Sequence, residues 1–145
     1  MNDLQYLKIS ISTKTGTITF PETGTFTLKA GSSAIFPFNT NFDNVPVRMA
    51  TVQPFCRFTN KSKKYNVLTT IDGITPEIVF KGKVKVIGSG IKTTIRNGNT
   101  VAAFVSDKMT EFEVNEVSFL ILSNDDAKKA YLSGKAKDEK IIISK

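Results

Sequence analysis

Apolar and polar residues take turns along Leu7-Lys8-Ile9-Ser10-Ile11-Ser12, and the same period continues through Ile18, Phe20, Phe26 and Leu28. A period of two is that of a half-buried β-strand, whose successive side chains point to opposite faces. Lys14-Thr15-Gly16 and Glu22-Thr23-Gly24 punctuate these segments, and Ala30-Gly31, Asp72-Gly73 and Gly88-Ser89-Gly90 supply later turn signals. Asn97-Gly98 stands between Thr93-Thr94-Ile95-Arg96 and Val101-Ala102-Ala103-Phe104-Val105. That pairing predicts a two-residue hairpin, because both central positions of its turn need positive φ. Short strands at regular spacing, rich in β-branched and aromatic residues, predict an all-β fold, an antiparallel β-sandwich or jelly-roll-like barrel.

The expected domain is single and spans residues 1–145. Helical signals gather only near its end. Ser123 reads as an N-cap, Asn124-Asp125-Asp126 suit the positive end of a helix dipole, and Lys128-Lys129 suit the other end. Ala127, Ala130, Tyr131 and Leu132 then serve as the packing face and Gly134 as the stop, so residues 133–145 read as a charged linker before a terminal strand, Ile141-Ile142-Ile143. A long strand is expected from Val47 to Phe58, with Met49 or Ala50 buried, Phe55 inward, and Pro54 forcing an edge position or a bulge.

Composition narrows the chemistry. The chain has one cysteine, Cys56, and no histidine, which removes an essential member of most zinc sites, serine-type triads and cysteine–histidine dyads. No cofactor or metal is expected. No apolar run approaches the ~20 residues that cross a bilayer, so no membrane insertion is expected. A net charge of +7 permits an anionic partner through steering alone.

The most distinctive stretch is Ala34-Ile35-Phe36-Pro37-Phe38-Asn39, followed by Met49-Ala50-Thr51-Val52-Gln53-Pro54-Phe55. It resembles the β module that β-galactosidase-type enzymes of glycoside hydrolase family 35 carry beyond their catalytic barrel. There an apolar strand ends in Pro-Phe-Asn, and a second strand is matched at Ala50, Thr51, Gln53 and Pro54. Asp72-Gly73-Ile74-Thr75-Pro76-Glu77 through Phe80 is similar to that module's Gly-Ile-x-Pro-Glu segment. Phe119 to Leu122 and Asp126 to Tyr131 are similar to its closing strand and helix start. Met49 departs from a tyrosine in the family. The resemblance implies a non-catalytic accessory domain whose partner is the catalytic domain of a parent glycoside hydrolase, and a secreted or periplasmic parent is compatible with it. The family's catalytic glutamates belong to a barrel too large for this chain, so no catalytic residue transfers.

The residues themselves leave two further readings. A carbohydrate-binding module would take a galactoside or glycan on aromatic platforms, for which Tyr6, Tyr65 and Tyr131 are the candidates. A structural or assembly protein is the other, since the sandwich fold does not choose among functions. Glu111 and Glu113 share one face of a predicted strand at a Cβ separation of about 6–7 Å, but alternation with Phe112 and Val114 makes a solvated face the better reading than a glycosidase pair. Asp43-Asn44 and Asp72-Gly73 read as turns before they read as calcium ligands. Cys56 reads as a small core residue. Lys81, Lys83 and Lys85 form a basic stripe on a predicted strand backed by Val84 and Val86. Without exposed aromatics between them, nucleic acid is not expected as a partner.

Overall fold

The computed structural model describes residues 2–22, 24–104, 108–135 and 137–144. Thr23, Val105, Ala136 and the side chain of Phe20, all part of the sequence reading, lie outside what is described. Strands β1 (Leu4–Leu7), β2 (Ile9–Thr13), β3 (Gly16–Phe20) and β4 (Phe26–Leu28) form two small ladders, β1 with β4 and β2 with β3. The chain continues through β5 (Phe38–Phe42), β6 (Val45–Ala50), β7 (Gln53–Asn60), β8 (Lys63–Thr69), β9 (Glu77–Phe80) and β10 (Ile87–Gly88). Then come β11 (Ile91–Arg96), β12 (Asn99–Phe104), β13 (Thr110–Val114), β14 (Val117–Leu122), α1 (Asn124–Ala127), β15 (Ala130–Lys135) and β16 (Asp138–Ile143). A seven-stranded sheet runs β10-β13-β14-β8-β7-β16-β15 and a five-stranded sheet β11-β12-β9-β6-β5. The fold is all-β and sandwich-like, as the alternation predicts. Among the described residues no helix is long and apolar enough to cross a membrane.

The two large sheets share a core. Val45, Val47, Ala50, Ile78, Phe80 and Ala102 from the five-stranded sheet meet Leu68, Phe112, Val114, Val117, Phe119 and Ile121 from the seven-stranded one. Phe119 is the centre of an aromatic group, stacked on Phe112 at 5.0 Å and edge-on to Phe80 and Phe42 at 6.0 Å each. All six residues of β14 are buried. This strand is the parallel partner of β8 inside an otherwise antiparallel sheet, and a near-continuous apolar run, Val-Ser-Phe-Leu-Ile-Leu, is what a strand covered on both faces requires. A second, smaller cluster lies on the far side of the five-stranded sheet, where Ile18 of the β2–β3 hairpin covers Met49, Val79 and Val101.

The Asn97-Gly98 hairpin forms as read. Arg96 pairs with Asn99, and φ is 51° at Asn97 and 78° at Gly98, the two positive angles that favour this dipeptide. The expected strand from Val47 to Phe58 is instead two strands in different sheets. The chain leaves β6 at Ala50, turns through buried Thr51 and Val52, and enters β7 at Gln53. Thr51 fixes the corner: its N–H donates to the Glu77 carbonyl (3.0 Å), and its hydroxyl accepts from the Glu77 N–H (2.9 Å) and donates to the Thr75 carbonyl (2.8 Å). Met49 and Ala50 are both buried.

The bulge expected at Pro54 is present, between the Pro54–Leu68 and Cys56–Val67 pairs. It inserts Phe55 as the extra residue and turns its ring outward to 44% exposure, which corrects the expected inward placement. Phe55→Ala should therefore change stability by about 0.5 kcal/mol or less. A shift in denaturation midpoint equivalent to about 3 kcal/mol, the cost of a lost core ring, would contradict that placement.

Two more expectations are corrected. Ser123 does cap α1, its Oγ accepting from the Asp126 N–H at 3.1 Å, but the helix ends at Ala127. Tyr131 and Leu132 lie in β15 instead, paired with Ile142 and Ile141, because cross-strand packing of these apolar side chains outweighs continuation of a short helix. The supposed linker is thus the β15–β16 hairpin, and Gly134, the expected stop, sits inside β15 at φ +110° with the Asp138 backbone packed where a Cβ would lie. The basic stripe, likewise, is no strand. β9 ends at Phe80, and the side chains of β12 replace the ladder: Asn99 Oδ1 accepts from the Gly82 N–H (3.0 Å), and Thr100 Oγ1 accepts from the Val84 N–H (3.0 Å) and donates to the Gly82 carbonyl (2.9 Å). Lys81, Lys83 and Lys85 remain exposed and Val84 and Val86 half-buried against the core.

Candidate functional site

Asp43 occupies the β5–β6 turn at φ 57°, a conformation that aspartate tolerates through local hydrogen bonding. The turn reaches across the end of the sandwich. One carboxylate oxygen accepts from Arg57 Nη2 at 2.8 Å with Lys64 Nζ 4.0 Å away, and the other accepts from Asn66 Nδ2 at 2.9 Å. The strand period explains the set: Arg57 of β7 and Asn66 of β8 are cross-strand partners, and Lys64 lies two residues before Asn66 on the same face. Two cations and an amide already satisfy this carboxylate, which makes it a poor calcium ligand and bears out the turn reading of Asp43-Asn44. Asp72-Gly73 is also a turn. Among the described residues no group of three or more acidic or cysteine side chains is placed to hold a metal ion.

A shallow cleft of about 330 Å³ opens beside this cluster, lined by Asp43, Arg57, Phe58, Thr59, Lys64, Tyr65 and Glu139. It lies between β7 and β16, next to the Asp138–Asn60 pair that joins these strands. Of the three candidate tyrosines, Tyr65 is the one that lines it. Its ring is stacked on Phe58 at 4.6 Å, and Lys63 Nζ lies 5.4 Å from the ring centroid. Tyr6 is 80% exposed on β1, and Tyr131 is 54% exposed on the edge strand β15. The structure does not bring the three tyrosines together.

Glu111 and Glu113 do project from one face of β13, opposite Leu120 and Ser118. Glu111 is exposed with Lys63 Nζ 3.9 Å away, an arrangement of a solvated sheet face and not of a cleft closed around a glycosidic bond. Cys56 is half-buried beside Phe58 and Val67. Burial, with a smaller contribution from the negative charge of Glu139, pushes its thiol pKa above the ordinary value. The thiolate is the reactive form, so alkylation should be slower than for free cysteine at pH 8 and should rise only at higher pH. Because the folded pKa is the raised one, the associated stability is present below the unfolded thiol pKa and is lost as pH climbs through the folded one. Iodoacetamide labelling against pH checks this, and a rate equal to free cysteine's would contradict it.

The residues of the Pro-Phe-Asn and Ala-Thr-x-Gln-Pro segments meet at one corner. The Ala50 N–H donates to the Pro37 carbonyl at 3.1 Å, and Gln53 Oε1 accepts from the Ile35 N–H at 3.3 Å. Sequence reasoning could not find the Asp43–Arg57–Asn66 cluster, since its members are joined only by the passage of the chain from one sheet to the other. No protein-family model matches this chain, and no curated protein matches it.

Proposed function

We propose that this chain is a non-catalytic β-sandwich module that acts by docking, as an accessory domain of a β-galactosidase-like glycoside hydrolase. The observation that carries this reading is the corner where Ala50 is bonded to Pro37, Gln53 to Ile35, and Thr51 to Thr75 and Glu77. It gives the segments behind the resemblance a structural task, the transfer of the chain between sheets, and no chemical one. The exposed apolar side chains Ile35, Phe38 and Phe55 lie on the segments that meet there, and burying such groups is how a domain packs on a neighbour. The reading frame around this chain in its source genome is the direct test: a barrel-encoding stretch upstream is expected, and stop codons directly flanking the chain on both sides would overturn the reading. The isolated chain should not turn over aryl-galactosides, and robust hydrolysis would overturn it equally.

A second reading is supported by Tyr65, whose ring lines a cleft with planar polar groups from Arg57, Asp43 and Glu139. An apolar platform beside such groups is what the faces and hydroxyls of a pyranose require. Titration calorimetry with galactose, lactose and galactan oligosaccharides should then give millimolar or tighter binding that Tyr65→Ala removes. Silence across that panel with the fold intact would eliminate it.

A further inference from the structure

The geometry points to a binding site for an acidic saccharide in the groove between the tip of the β2–β3 hairpin and strand β6, with Arg48 and Lys81 holding the acid group. The register of β6 against β9 shifts between the Val47–Phe80 and Met49–Val79 pairs, which leaves Arg48 as an extra, bulged residue. Bulges re-aim the side chain they carry. Arg48 lines two adjoining clefts, together with Thr15 and Lys81, which line both as well. The first, of about 380 Å³, adds Asn39, Thr40 and Asn41 and no carboxylate. The second, of about 440 Å³, adds Thr17, Asn97 and Asn99 and one acid, Glu22.

Among the described residues neither Arg48 nor Lys81 makes an ion pair. Arg48 is half-buried and lines both clefts, so its side chain is held at the groove and not extended freely into solvent. A fork of guanidinium N–H donors suits a planar carboxylate, and an ammonium group adds a point charge beside it. The threonine hydroxyls and asparagine amides around them suit a ligand with many hydroxyls, and with only Glu22 opposing them the cationic end is the first cleft. A chain carrying +7 adds attraction for such a ligand at long range. This site shares no lining residue with the Tyr65 cleft, so it does not depend on either reading above.

Titration calorimetry with hexagalacturonate, maltohexaose and inorganic sulfate separates the possibilities. Hexagalacturonate should bind at least about tenfold more tightly than the neutral hexasaccharide or the free anion. Lys81→Gln and Arg48→Gln should each weaken it about tenfold, whereas Lys128→Gln, which removes the same charge elsewhere, and Tyr65→Ala should leave it unchanged. Equal affinity for maltohexaose, equal affinity for sulfate, or an equal loss in Lys128→Gln would each overturn the proposal. If Arg48→Gln fails to fold, Lys81→Gln decides alone, since that side chain is exposed.

Discussion

Phe119→Ala should destabilise this protein by about 3–5 kcal/mol, the range for truncating a buried aromatic ring. Phe119 is fully buried at the middle of β14, and three rings from three other strands converge on it: Phe112 from β13, Phe80 from β9 and Phe42 from β5. Two of those strands belong to the opposite sheet, so the ring joins the two sheets as well as two neighbours within one. Both faces of β14 are covered, which leaves the surrounding strands little freedom to collapse into the vacated space, and a cavity that cannot collapse puts the cost toward the upper end. Edge-to-face and stacked geometry adds about 0.5–1.5 kcal/mol per aromatic pair beyond the area buried. Urea denaturation should show the loss as a lower midpoint at unchanged m-value. For a domain of this length the melting temperature should fall by about 10 °C. A loss under about 1 kcal/mol, comparable to that expected for the outward-facing Phe55, would mean that the sheets do not close on this ring.

How much of this was legible in the sequence depended on the range of the interaction that decides each feature. The strands and the Asn97-Gly98 turn follow from local alternation and from the backbone freedom of two residues, so they could be read directly. The bulge at Pro54 could also be read, since a proline nitrogen has no proton for the ladder. Its consequence for Phe55 could not, because a bulge shifts the alternation by one and the direction depends on where in the ladder the extra residue falls. At Ser123 local sequence specifies the cap but not the length of the helix, which ends at Ala127. Its first turn is settled by local groups, whereas the fate of Tyr131 and Leu132 is settled by Ile141 and Ile142, which only the closed hairpin places beside them.

The same division runs through the candidate sites. Glu111 and Glu113 share a face because strand period alone dictates it. Tyr65 is distinguished from Tyr6 and Tyr131 by a cleft whose walls come from β7, β8, β16 and the β5–β6 turn, which no local pattern announces. The lysines at 81, 83 and 85 keep the exposure that alternation assigns them although their ladder is missing, because Asn99 and Thr100 supply the hydrogen bonds that a neighbouring strand would have made. Alternation of exposure is thus weaker proof of a strand than of a segment held flat against a core.

Asp43→Ala should cost about 3–4 kcal/mol, and the buried amide should account for more of that loss than the ion pair does. The Asp43 side chain is 9% exposed while that of Arg57 is 70% exposed, so water screens the guanidinium and a pair of this kind is worth about 1 kcal/mol or less. Asn66 is 1% exposed, and its Oδ1 has no hydrogen-bond partner among the described residues. Removing the carboxylate would orphan its Nδ2 as well, leaving a wholly unpaired amide inside the sandwich at a cost of about 1–3 kcal/mol. Alanine at φ 57° adds about 1–2 kcal/mol of backbone strain. Asp43→Asn should be milder, at about 1–2 kcal/mol, since asparagine tolerates that backbone conformation and its side-chain oxygen can still accept from Asn66. Double-mutant cycles separate the two partners. The Asp43–Asn66 coupling should exceed the Asp43–Arg57 coupling, and only the latter should shrink markedly between low salt and 1 M salt. A larger coupling to Arg57 would show that the turn is held to the seven-stranded sheet by charge and not by the buried hydrogen bond.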